Sequence, residues 1–187
     1  PSQQTAILAG FCLILTLGQH SRIAIYKNDD HYIFSKGVQW LANESAWAES
    51  WKRYGLWLKE KYPPGTLIAV TTAGAVCYFS DLPSLDILGL NDTTVAHTPN
   101  PSPDWRYPGH DKSNPDYILS QKPRFIQLFP LLFFSSRPYP EWRLEQMITY
   151  PAQRDLWQHP QFQDEYHLRT EETRHGFISY YERKTNP

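Results

Sequence analysis

Thr66-Leu-Ile-Ala-Val-Thr71 and Ser84-Leu-Asp-Ile-Leu88 decide the fold. The first is a short apolar run of the kind buried on both faces of a parallel sheet. Between them Thr72-Ala-Gly-Ala75 makes a small-residue turn into a short helix ending near Phe79. Strand, helix, strand is the grammar of an α/β layer with right-handed crossovers. Working outward, Asn114 to Gln121 reads as another helix, Arg124-Phe-Ile-Gln-Leu-Phe129 as a third buried strand, and Glu141 to Thr149 as a further helix. Glu165 to Arg169 and Gly176 to Glu182 form a hairpin, with period-two alternation in Phe177-Ile-Ser-Tyr-Tyr181. The fold expected is α/β: three layers, a mostly parallel sheet with helices on both faces, and a C-terminal antiparallel hairpin.

Upstream of the first strand, Asn43 and Glu44 open a helix that runs to about Tyr62, with Asn43 as N-cap and Pro63-Pro64-Gly65 as the stop. Trp47, Trp51, Tyr54 and Leu58 recur at helical spacing on one face, which reads as core packing before it reads as a sugar-stacking platform. Before it, Arg22 to Phe34 reads as a strand, a turn and an extended piece.

The chain has 187 residues, 18 Lys and Arg against 19 Asp and Glu, and a net charge of −1, so a nucleic-acid binder with a basic stripe is excluded. Sixteen prolines against nine glycines, with 15% aromatic residues, describe a rigid globular chain. Cys12 and Cys77 have no metal-type spacing and read as small buried hydrophobes. The chain begins at Pro1, which suggests a processed or truncated product. Thr5 to Gly18 carries no charge but is too short, at ~1.5 Å per residue, to cross a hydrocarbon core of ~30 Å. A core helix, the apolar part of a signal peptide, and the end of a transmembrane helix all fit it.

Polar groups concentrate from Asp86 to Lys112: Asp86 on a strand, Asn91 and Asp92 just beyond it, His97, then Gly109-His-Asp-Lys112 after a proline-rich excursion through Pro99, Pro101, Pro103 and Pro108. Groups just past the carboxyl ends of strands occupy the crevice where open α/β sheets bind ligands. A buried Asp86 requires partners, and Lys112 or His110 are the candidates; the same residues would serve equally as a structural cluster. Asp86, Asp92, His97, His110 and Asp111 lack any recognised metal-ligand spacing, so no metal and no cofactor is expected. There is no Gly-x-Ser-x-Gly elbow and no phosphate-cradling glycine loop. His31, His159, His167 and His175 are expected to face solvent.

The series Trp47-Ala, Gly55-Leu-Trp-Leu58, Tyr62-Pro-Pro64, Ile68-Ala-Val70, Ala73-Gly-Ala75 and Tyr78-Phe-Ser80 leads into Asp86-Ile-Leu-Gly-Leu-Asn-Asp92. Gly109-His-Asp-Lys112, Asp116-Tyr-Ile-Leu-Ser120, Lys122-Pro123, Asp155-Leu156, Pro160, Phe162 and Tyr166 continue it. Together they resemble the C-terminal soluble region of multispanning bacterial glycosyltransferases of the polyprenyl-phosphate-sugar (GT-C) type, an arabinofuranosyl- and mannosyltransferase-like group. The resemblance spans about positions 45 to 182; Asp111 departs from it, relatives tending to carry Glu there.

The resemblance implies that residues 1–18 end a transmembrane helix and that 19–187 form an extracytoplasmic α/β domain at the inner or cytoplasmic membrane. It implies a lipid-linked sugar donor and a glycan acceptor as partners of the full-length protein. The family's catalytic carboxylate lies in an early loop outside this chain, so no catalytic residue is expected here and the fragment alone should be inactive. Tyr78, Asp86, Asn91, Asp92, His97, Trp105, His110 and Lys112 are then candidates for contact with a glycan, with Tyr107 as a further stacking face. Two rivals are an independent polysaccharide-binding or protein-docking module and a free-standing hydrolase using His110 and Asp111.

Overall fold

The computed structural model describes residues 37–99, 109–128 and 134–184, together with Gly10 and Cys12. The expectations for Thr5 to Gly18 and Arg22 to Phe34, and those for Trp105 and Tyr107, lie outside the described residues. By compactness the chain divides into Pro1–Glu49 and Ser50–Pro187. The second unit holds all of the sheet.

Helix α1 spans Gly37–Lys61, and β1 (Ile68–Val70), α2 (Ala75–Ser80), β2 (Ser84–Asp86), α3 (Thr93–Ala96) and α4 (Pro115–Ser120) follow. Then come β3 (Phe125–Ile126), α5 (Glu141–Glu145), α6 (Pro151–Gln158), α7 (Pro160–Glu165), β4 (Tyr166–Thr173) and β5 (Gly176–Arg183). Asn43 is therefore not an N-cap but sits inside α1, because Val38 to Ala42 continue the helix upstream of the local cap signal. Within the second unit the α1 stripe behaves as its spacing predicts: Tyr54 and Leu58 are buried and Trp51 packs beside them. Trp47 does not follow them and is 38% exposed.

The sheet is mixed, in the order β2-β1-β3-β5-β4. Strand β1 pairs in parallel with β2 and with β3, while β5 pairs antiparallel with β3 and with β4. A parallel majority was the expectation; the hairpin instead enters the sheet itself, Phe125 opposite Glu182 and Ile126 opposite Tyr181. Successive strand residues go to different cores, as a pleated strand requires. Ile68, Val70, Phe125 and Tyr180 join Tyr54, Leu58 and Val76, whereas Ala69, Ile126 and Tyr181 join Val95, Ile118, Leu119, Leu156 and Phe162. Both cores are rich in aromatic residues; in the first, the Phe125 and Tyr180 rings stack at 5.1 Å and Trp57 meets Tyr180 edge-on at 5.4 Å.

Gly55 explains how α1 and α2 come so close. A Cβ at that position would lie 2.7 Å from the Val76 carbonyl oxygen and 2.9 Å from Phe79 Cβ, so any side chain would push the helices apart. Helices α3, α6 and α7 are absent from the sequence expectation. Their signals are short and polar: Asp92 caps α3, and buried Gln153 opens α6 by accepting hydrogen bonds from the N–H groups of Thr149 and Tyr150. Gln153 also donates to the Leu128 carbonyl, tying α6 to the chain leaving β3. Among the described residues no helix is long and apolar enough to cross a membrane.

Candidate functional site

Strand β1 is flanked by parallel partners on both sides, so its carboxyl end and that of β2 border the crevice where ligands bind in sheets of this kind. The chain leaving β2 turns there. Asp86 is 4% exposed, and both its oxygens are occupied by backbone: Oδ1 accepts from the Leu88 N–H at 3.0 Å and Oδ2 from the Asn91 N–H at 2.8 Å. The partners are therefore not Lys112 or His110. A carboxylate at a strand end finds the N–H groups two to five residues on before it finds a distant cation, the same local chemistry that makes Asx turns. Gly89, at φ 79°, permits the reversal, and a Cβ there would meet Val95 Cγ1 at 2.8 Å.

Asp92 is the next fixed point. Its Oδ1 accepts from the N–H groups of Thr94 and Val95, at 2.9 and 3.0 Å, and its Oδ2 accepts from the Tyr117 hydroxyl at 3.2 Å. Thus Asp92 both caps α3 and joins it to α4. His97 closes α3: its Nδ1–H donates to the Thr93 carbonyl at 2.7 Å, which leaves Nε2 as the acceptor in the neutral ring. The Lys112 ammonium donates to the Thr98 carbonyl at 2.9 Å, and Asn114 donates to the Thr98 hydroxyl while capping α4. The His110 ring packs against Tyr150, with centroids 4.7 Å apart.

The structure thus gathers Asp92, His97 and Lys112 around α3 and its exit, with Asp86 holding the turn before it. Tyr78 is not part of this network. It is 80% exposed and its ring meets that of Phe79 edge-on. What the turn turns outward is Leu90, 60% exposed, and Asn91, whose backbone is pinned by Asp86 while its carboxamide makes no hydrogen bond among the described residues. Two buried hydroxyls nearby in sequence, Thr71 at the end of β1 and Ser113 beside Lys112, also have no partner among the described residues. Among those residues no group of three or more His, Cys, Asp or Glu side chains is placed to hold a metal ion. Burial pushes the Cys77 thiol up from its ordinary value, which opposes a nucleophilic role.

A second polar centre lies at the opposite end of the parallel strands, and the sequence reading missed it. Glu182, 6% exposed on β5, accepts from the Tyr62 hydroxyl and the Arg124 guanidinium at 3.1 Å and from Arg169 Nε at 3.2 Å. Burial acts to raise the Glu182 carboxyl, but the Arg169 hydrogen bond and the charge of Arg124 outweigh it and hold the group below its ordinary value. Burial and the neighbouring carboxylate push Tyr62 well above the usual phenol range. Beside them, Lys61 pairs with Glu171 at 2.5 Å and lies over the rings of Trp57, Tyr62 and Tyr180 at 5.4 to 5.6 Å. The sequence signal was an acidic residue in the hairpin's apolar run; Arg169 faces it within the hairpin, but Tyr62 and Arg124 are far away along the chain.

The remaining histidines divide. His175 is exposed as expected. His159 is not simply solvent-facing: Nδ1 accepts from the Gln161 N–H and Nε2 lies 3.1 Å from Asp116. His167 is partly buried with an Nδ1 that has no partner among the described residues, and burial, then the charge of Arg169, lower its pKa from 6.5.

Residues 39–176 match a family described as a domain of unknown function, DUF8728. The chain belongs to that family. Neither a curated protein nor a solved structure matches it. The DUF8728 match takes in the whole turn from Asp86 to Asp92 and both flanking elements, and ends at the start of β5, before Glu182.

Proposed function

We propose that this DUF8728 chain is the extracytoplasmic C-terminal part of a multispanning membrane glycosyltransferase, drawing sugar from a polyprenyl-phosphate donor and recognising the acceptor glycan without supplying the catalytic carboxylate. In this reading residues 1–18 end a transmembrane helix, and the sheet is the middle of three layers. The motif string Leu-Gly-Leu-Asn-Asp with its later Gly-His-x-Lys is the sequence support. The structural support is Asn91: an exposed carboxamide on a backbone locked by a buried carboxylate. A carboxamide offers both donors and an acceptor, which suits the paired hydroxyls of a sugar, and a locked backbone reduces the ordering that binding would otherwise require. His97, with Nε2 left as an acceptor, extends the same edge.

The test is transfer kinetics in the full-length membrane protein. Asn91→Ala should raise the KM for the acceptor by about tenfold, the loss expected for a pair of hydrogen bonds, with kcat and melting temperature unchanged. An unchanged acceptor KM would remove Asn91 from recognition and the structural support with it.

A further inference from the structure

We propose that the pocket at the amino ends of β1 and β3 is a binding site for a monosaccharide-sized anion, held through its carboxylate or phosphate by Lys61 and Arg124. The pocket has a volume of about 370 Å³ and is lined by Lys61, Tyr62, Pro63, Thr66, Arg124 and Glu182. That volume falls in the lower part of the range typical of small-ligand sites.

The charges around it are arranged so that each carboxylate is engaged by cations and a tyrosine hydroxyl while the cations keep donors. Glu182 Oε1 already accepts from Tyr62 and Arg124, and Oε2 from Arg169. Lys61 makes one hydrogen bond, to Glu171, which also accepts from the Tyr180 hydroxyl. The Arg124 guanidinium makes two, to the Arg183 carbonyl and to Glu182. An ammonium carries three N–H groups and a guanidinium five, so both retain donors. Counting Lys61, Arg124 and Arg169 against Glu171 and Glu182, the cluster carries one surplus positive charge.

Both cations are also held in place before any ligand arrives. Glu182 orients the guanidinium, and three aromatic rings and Glu171 fix the ammonium. Donors fixed in advance lose little freedom on binding, and planar forks suit carboxylate and phosphate alike. The Pro63 and Tyr62 rings supply an apolar wall of the sort on which a sugar face packs, and the Thr66 hydroxyl, which donates to the Pro63 carbonyl, keeps lone pairs for a ligand hydroxyl. The site lies at the other end of the strands from Asn91 and does not rest on the glycosyltransferase reading.

The experiment titrates the full isotopically labelled chain with glucuronate, glucose-1-phosphate and inorganic phosphate in turn, following backbone amides by nuclear magnetic resonance. Saturable shifts at Lys61, Thr66 and Arg124 with one of the sugar anions, weakened about tenfold by Lys61→Gln, are the expected result. The sugar that binds identifies the oxyanion as carboxylate or phosphate. Inorganic phosphate binding as tightly as either sugar would overturn the monosaccharide part of the proposal. The absence of saturable shifts at these amides in the wild-type chain up to about 10 mM of all three probes would overturn it entirely, whatever the stability of the variant.

Discussion

The two ends of the parallel strands are held by different chemistry. At the carboxyl end, Asp86 and Asp92 grip backbone N–H groups a few residues away, and the loop is shaped by local turns and caps. At the amino end, Glu182 gathers Tyr62, Arg124 and Arg169 from the residue just past α1, from the approach to β3 and from β4. The first arrangement fixes a conformation of one segment. The second fixes the positions of separate elements relative to one another, and it depends on charge. One end should therefore respond to mutation locally, the other globally.

The largest expected effect is at the amino end. Glu182→Ala leaves two arginines and a tyrosine without their shared acceptor and should lower unfolding free energy by about 3 kcal/mol, toward the lower limit for a broken buried pair because both arginines reach solvent. Chemical denaturation checks it, and loss of protection should extend over α1, β3 and the hairpin in hydrogen exchange. At the carboxyl end, Asp86→Ala strands two N–H groups, one of them buried, at a cost of about 2 kcal/mol. Its increased exchange should be confined to Leu88 through Asn91. A global loss of protection there would break the contrast between the ends.

Smaller still, Asp92→Ala removes a cap from a short helix and should cost about 1 kcal/mol in the same denaturation measurement. The pH dependence sharpens the comparison further. A carboxyl held below its ordinary 4.5 gives stability that is complete above that pH and lost as pH falls through the folded value, so Glu182→Gln should flatten the acid limb of the stability curve. His167, lowered from 6.5, gives stability that is present above that pH and fades as pH falls through the folded value, and His167→Gln should remove this shallower slope. Thermal melts across the acid range check both expectations.

How legible these regions were follows from the same contrast. Strands β1 to β3 and helices α2 and α4 could be read because apolar runs, Asn114 and the Pro63-Pro64-Gly65 stop are local signals. Asp86 was legible as a buried polar residue on a strand, but its partners were misassigned: a cation in the same motif is conspicuous in sequence, whereas a backbone N–H is carried by almost every residue. Glu182 was invisible as a centre because Tyr62 and Arg124 are 120 and 58 residues away from it. The mixed character of the sheet was hidden for a similar reason, since whether a hairpin stands apart or joins β3 depends on pairing across that same distance. Trp47 shows the converse, a periodic signal that predicts burial at a residue that is 38% exposed.

The most direct test of the proposed role is to map a short arabinofuranosyl or mannosyl oligosaccharide onto the backbone amides of the chain. Shifts at Leu90, Asn91 and His97, lost in Asn91→Ala while the Leu88 and Asn91 amides remain protected by Asp86, are the predicted result. Unperturbed amides along this whole turn at saturating oligosaccharide would contradict a role in acceptor recognition.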